Sequence, residues 1–227
     1  MIISTFNKPA PPDFRGLDVD LPIRVYYRHL PHWRQDRATY AVTFRQADSL
    51  PQNLLQALKR WRTIWEKNHP VPRTEADWKK FAQEITNRTE RWLDEGYGSC
   101  VFSDSTFSKT MSEALLHFQD ERHITHCFVV MPNHVHAIIR PINGFELENC
   151  LQRMKQFVSL RVNRATERSG SLWEAESYDR IVRDEEHLWN VVQYIGRNPK
   201  KAGIPADQWV RWIHPDWQAA GWGFVDE

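Results

Sequence analysis

The chain has 227 residues, 41% hydrophobic and 26% charged, with a formal net charge of +1. This length suits one domain with a substantial core plus some elaboration, and the charge is too low for a general nucleic-acid coat protein. No apolar run approaches the ~18 residues of a membrane helix, the N-terminus lacks the basic start and apolar stretch of a signal peptide, and Cys100, Cys127 and Cys150 form no CxxC pair. The expectation is a cytoplasmic protein with reduced thiols and no membrane partner.

Residues 1–23 are Pro-rich and read as an irregular arm. From Arg24 to Arg45 there are five arginines and one acid, Asp36, a local cluster that suits phosphates or simply a solvated surface. "ATYAVTFR", Ala38 to Arg45, alternates and is rich in β formers, so it reads as a strand. Residues 52–68 look helical until "HPVPRTE" breaks the pattern. Thr74 is placed to cap a second helix over about 74–94, and Gly96 and Gly98 close it. Residues 50–100 are therefore a helical excursion. A helix follows over 106–120. "HITHCFVVM" reads as a strand, "PNH" as a turn and "VHAIIRP" as the return strand. A long helix covers about 145–166, "SGSL" is a loop and "SYDRIVR" a short strand. "DEEHLWNVVQYIGRN" is a last helix, capped by Asp184 and stopped by Pro199, before a Trp-rich tail at 206–227.

With the excursion set aside, the order is β-α-β-β-α-β plus one helix. That is an α+β, ferredoxin-like pattern: a four-stranded antiparallel sheet with helices on one face and an extra C-terminal helix. Residues 24–205 form the domain. The fold by itself assigns no chemistry.

On a strand, His134 and His136 project to one face while Val135 points away. Two neutral imidazoles so placed can grip a divalent cation, or they are simply two hydrogen-bonded histidines. On the last helix, Leu188, Val191, Val192 and Ile195 make one apolar stripe. Tyr194 and Asn198, four apart, share its shoulder with His187. Taken singly, Tyr194 reads equally as a core-edge residue and Asn198 as a helix stop.

Several ordered segments resemble one family. "MPNHVH" resembles the histidine–apolar–histidine (HUH) motif of single-tyrosine nucleases and transposases. "YIGRNPKKAGI" resembles the Y-I-x-x-N-P-x-x-A-G signature of REP-associated tyrosine transposases. "LWEAESYDRIVRDEEH", "RHLPHWRQDRATYAVTFRQADSLP" and "LDEGYGSCVF" resemble further segments in the family's order, over about residues 28–205. One departure is Lys200 in "NPKKAG", where related chains carry an apolar residue.

The resemblance implies a metal-dependent endonuclease and strand transferase for single-stranded DNA at short palindromic hairpins. It implies Tyr194 as the nucleophile that keeps a 5′-phosphate, His134 and His136 as ligands of Mg2+ or Mn2+, and Asn198 as third ligand. It makes the last helix the catalytic one. Tyr178 is the rival nucleophile or a stacking residue. Lys155, Arg180, Arg183 and Lys200 are candidate phosphate contacts, and Arg24, Arg28, Arg34 and Arg37 candidates for the hairpin stem. Two other readings stand beside it: a hairpin-binding module without cleavage, and a cupin-like metal enzyme using the HxH pair. The second requires an all-β core. The sequence leaves monomer and homodimer both open.

Overall fold

The computed structural model describes residues 6–28 and 31–225. The first five residues of the expected arm, residues 29 and 30 of the expected stem-contact region, and residues 226 and 227 of the tail lie outside them.

Seven strands and six α-helices are described: β1 Arg24–Tyr27, β2 Pro31–Arg34, β3 Tyr40–Arg45, α1 Gln52–Asn68, α2 Glu75–Asp94, α3 Ser105–Leu116, β4 His123–Val130, β5 His134–Pro141, α4 Leu147–Thr166, β6 Tyr178–Ile181, α5 Glu185–Lys201, β7 Val210–Ile213 and α6 Pro215–Ala219. The main sheet has the order β6-β3-β5-β4-β7, antiparallel throughout. Numbered along the β-α-β-β-α-β unit, its first four strands lie 4-1-3-2, and β7 extends the β4 edge. The expected ferredoxin-like arrangement is present, with one strand added.

β4 is buried along its whole length because both faces of the sheet are covered. On one face, α3 and α4 pack Met111, Leu115, Met154 and Val158 against Phe44, Phe128, Val135 and Ile139. On the other, α5 lays Leu188, Val191, Val192 and Ile195 over Ala41, Cys127, Val129 and Ile138. The two crossover helices, α3 and α4, thus lie on one face as the pattern placed them, and the extra helix α5 covers the other. α5 follows the apolar stripe read from its sequence.

Local signals set the helix starts. Thr74 and Asp77 form a reciprocal capping box on α2, and Asp184 accepts from the His187 N–H at 2.7 Å to start α5. The stop of α5 differs from expectation. The helix runs through Pro199 to Lys201. A proline in the last turn forfeits one backbone hydrogen bond, which the buried ring tolerates there. The end is set instead by Gly203 in the left-handed region (φ 65°), with Ile204 N–H donating to Pro199 O at 3.0 Å.

Arm and tail are built into the fold. Trp217 and Trp222 are fully buried in the α5-side core, and their indole N–H groups donate to Pro12 O (2.8 Å) and Pro9 O (3.0 Å). Leu17 N–H reaches Val182 O at 3.0 Å. The short hairpin β1–β2 was not read from the sequence, since its strands are four residues each and carry charge and proline. Among the described residues, no helix is long and apolar enough to cross a membrane.

Candidate active site

The turn Met131–His134 closes with Met131 N–H donating to His134 O at 2.9 Å. It is pinned from two sides. Gln46, just beyond β3, donates its backbone N–H to Asn133 O and its amide to Pro132 O. Asn133 donates to Leu93 O and Tyr97 O at the end of α2. The histidine pair therefore starts β5 from a fixed point.

His134 and His136 are both almost fully buried and share a face, with Nε2 atoms 3.0 Å apart. The outer nitrogens have partners: His134 Nδ1 lies 2.7 Å from Asn133 Oδ1, and His136 Nδ1 lies 2.8 Å from Thr43 Oγ1, directly opposite on β3. An Nδ1–H donated to each oxygen leaves both Nε2 lone pairs facing inward. Burial, then the neighbouring His136, holds His134 far below the usual imidazole range. Burial, then Lys201 and Arg180, lowers His136 to about 3. Both rings are neutral at pH 7, the form that binds metal.

α5 brings the second half of the site. Asn198 is buried inside its last turn, with Nδ2 2.8 Å from His136 Nε2 and Oδ1 buried without a partner. A half-turn of the carboxamide exchanges oxygen and nitrogen, so that Oδ1 joins the two Nε2 atoms. One turn earlier, the Tyr194 ring meets His136 edge to face at 5.9 Å between centroids. Its hydroxyl is buried beside Glu90 and Asn198 without a hydrogen bond of good geometry. Burial, then the Glu90 charge, pushes the phenol above its usual range. Burial likewise raises Glu90.

The donor set fits a hard or borderline divalent ion. The 3.0 Å separation of the Nε2 atoms matches two right-angled ligands on an ion with bonds of about 2.1 Å. The orphaned Asn198 oxygen supplies a third donor. Among the described residues, no group of three His, Cys, Asp or Glu side chains is placed to share an ion, so the amide is integral to this set.

Tyr178, Thr43 and His136 stand in one row across the sheet. Tyr178 therefore shares the site's face but lies two strands from His136, about 10 Å. Arg180 and Arg183 line the same cleft as His136, Tyr178 and Tyr194, a space of about 580 Å3. Lys200 is exposed just past Asn198.

The other basic candidates lie elsewhere. Arg34 is a correction: it is buried, bound to Asp179 and Glu148, and has no surface to offer a phosphate. Arg24 pairs with Glu146 at 2.7 Å, and Arg37 lies 3.6 Å from Asp36. Both border a cavity that also includes Arg140, at the far end of β5 from His134. Lys155 donates to Glu174 O at 2.8 Å, and Arg28 is exposed.

Three site residues escaped the sequence reading. Asn133 stood inside a quoted motif without a role. Thr43 becomes visible only through strand register. Glu90 comes from the excursion, and no sequence signal links it to Tyr194.

Residues 97–198 match the family model described as IS200-like transposase. That match spans a little under half of the chain. The matched stretch holds both histidines, Tyr194 and Asn198, and excludes β3 and nearly all of the α1–α2 excursion. No curated protein matches the chain. A solved structure of a REP-associated tyrosine transposase bound to a REP hairpin is similar at 14% identity and a TM-score of 0.45, over 79% of this chain and 74% of that one. A likeness of that degree decides neither fold nor ligand.

Proposed function

We propose that the chain is a transposase-type, metal-dependent endonuclease and strand transferase for single-stranded DNA at palindromic hairpins, working through a 5′-phosphotyrosine intermediate. The observation that carries this is the convergence of Tyr194 and Asn198, one turn apart on α5, on the inward Nε2 atoms of His134 and His136.

His134 Nε2, His136 Nε2 and the Asn198 oxygen would hold Mg2+ or Mn2+. When bound, the ion neutralises a non-bridging phosphate oxygen and polarises phosphorus. The chain's own groups do the rest. Asn133 and Thr43 orient the imidazoles. α5 holds the Tyr194 oxygen at the edge of the site, so that attack is a matter of position. The new bond joins that oxygen to phosphorus, and the bond to the 3′-oxygen breaks, leaving a 3′-OH that takes its proton from water. The phenol proton has the neighbouring Glu90 carboxylate as acceptor. A resting phenol held above its usual range is a poor nucleophile, so the reaction waits for substrate and ion together.

The test is a labelled hairpin oligonucleotide incubated with protein and Mg2+ or Mn2+, resolved on a denaturing gel. A covalent adduct that needs the ion and is lost in Tyr194→Phe is expected. Tight binding without an adduct under any metal marks a binding module instead.

A further inference from the structure

α2 has two polar and apolar sides that do different work. Phe81 and Ile85 pack into a small core with Trp65 of α1. Lys79, Gln83, Asn87 and Glu90 fall three or four residues apart on another side, and all line the cleft that ends at Tyr194 and His136. This stripe spans eleven residues' rise, about 16 Å along the helix. Its far wall carries Arg180 and Arg183.

The helix is fixed over the cleft at both ends. Lys201 of α5 pairs with Asp94 at 2.9 Å, and Asn133 holds Leu93 O. At the other end, Trp78 packs on Tyr27 of β1 at 5.3 Å between centroids. Gln83 and Asn87 are exposed, and neither amide is engaged by another side chain among the described residues.

We propose that the α1–α2 excursion is the second wall of a channel for the single-stranded nucleotides beside the scissile phosphate, with Gln83 and Asn87 reading base edges. This rests on the nuclease reading above, and it concerns α2, which lies outside the stretch that matches the family model. Three features select single-stranded DNA as occupant. The channel ends at the nucleophile. Arg180, Arg183 and Lys79 offer positive charge to a backbone along its walls. Free carboxamides present a donor and an acceptor side by side, as recognition of an unpaired base edge requires.

The experiment uses Tyr194→Phe protein without divalent ion, so that cleavage plays no part. Binding is measured to a fluorescein-labelled hairpin in three forms: blunt, and extended by about ten unpaired nucleotides on either side. One extension should tighten binding, and Gln83→Ala/Asn87→Ala should cut that gain on the order of tenfold while leaving the blunt hairpin unaffected. Alanine favours the helix at both exposed sites, so folding is preserved. With 5-iodouracil placed along the same extension, ultraviolet crosslinks should map to residues 79–90. An unchanged gain in the double variant, or crosslinks confined to other elements, overturns the proposal. If the extension binds along α2 but the wild-type protein never forms a covalent adduct, the channel stands and the nuclease reading falls.

Discussion

At the residue scale, the site depends on two polar side chains that orient the histidines. Thr43 and Asn133 each occupy the outer nitrogen of one ring. Such partners fix ring orientation and tautomer, and losing one weakens metal binding about 10–100-fold. Thr43→Val keeps the shape and removes the oxygen, so Mn2+ affinity, followed by calorimetry, is expected to fall by that order without loss of fold. An affinity equal to wild type would show that Thr43 does not orient His136. Most of the side chains that meet at the proposed site were legible in the sequence because they have fixed periods. Two residues on a strand share a face, and four on a helix share a side. Thr43 and Glu90 were hidden because their proximity depends on strand register and on how a 50-residue excursion folds back. The arginines near β1 were ambiguous for another reason: composition counts charge but does not show that Arg34 is buried against Asp179.

At the element scale, β1–β2 is clasped to the domain by a buried ionic cluster. His32 lies between Asp179 Oδ2 (2.7 Å) and Glu176 (2.9 Å), and Arg34 binds the same Asp179. Burial opposes charge on His32, but the hydrogen bonds to Asp179 and then Glu176 outweigh it and raise the imidazole to about 9. A raised folded-state value means the stabilisation is complete below the ordinary 6.5 and is lost as pH rises through about 9. Denaturant midpoints should therefore fall between those pH values, and His32→Gln should flatten that slope. A wild-type midpoint that stays level across this range contradicts the clasp. The helix ends teach a related lesson. Thr74 and Asp184 act as caps where the sequence placed them, since capping needs only near neighbours. Pro199 did not stop α5, because tertiary burial of its ring outweighed the local rule.

At the scale of the whole molecule, the described parts of the arm and the tail meet on the α5 side of the sheet. Trp217 stacks on buried His126 at 4.4 Å and donates to Pro12 O, so arm, tail and β4 share one core. Composition showed many tryptophans but not their destination, and four-residue β7 has too little pattern to be seen. Trp217→Ala is expected to cost about 3–5 kcal/mol in urea unfolding, as large-to-small changes in a tight core do. A loss under about 1 kcal/mol would mean the tail is an appendage after all. This core matters for function because it backs α5, the helix that presents Tyr194 and Asn198 to the histidines.

The central claim is that Tyr194 attacks phosphorus. The most direct measurement is digestion of the covalent protein–DNA adduct followed by mass spectrometry of the nucleotide-bearing peptide. The account predicts a 5′-phosphotyrosine on the α5 peptide at Tyr194, and a nucleotide attached at Tyr178 of β6 would contradict it.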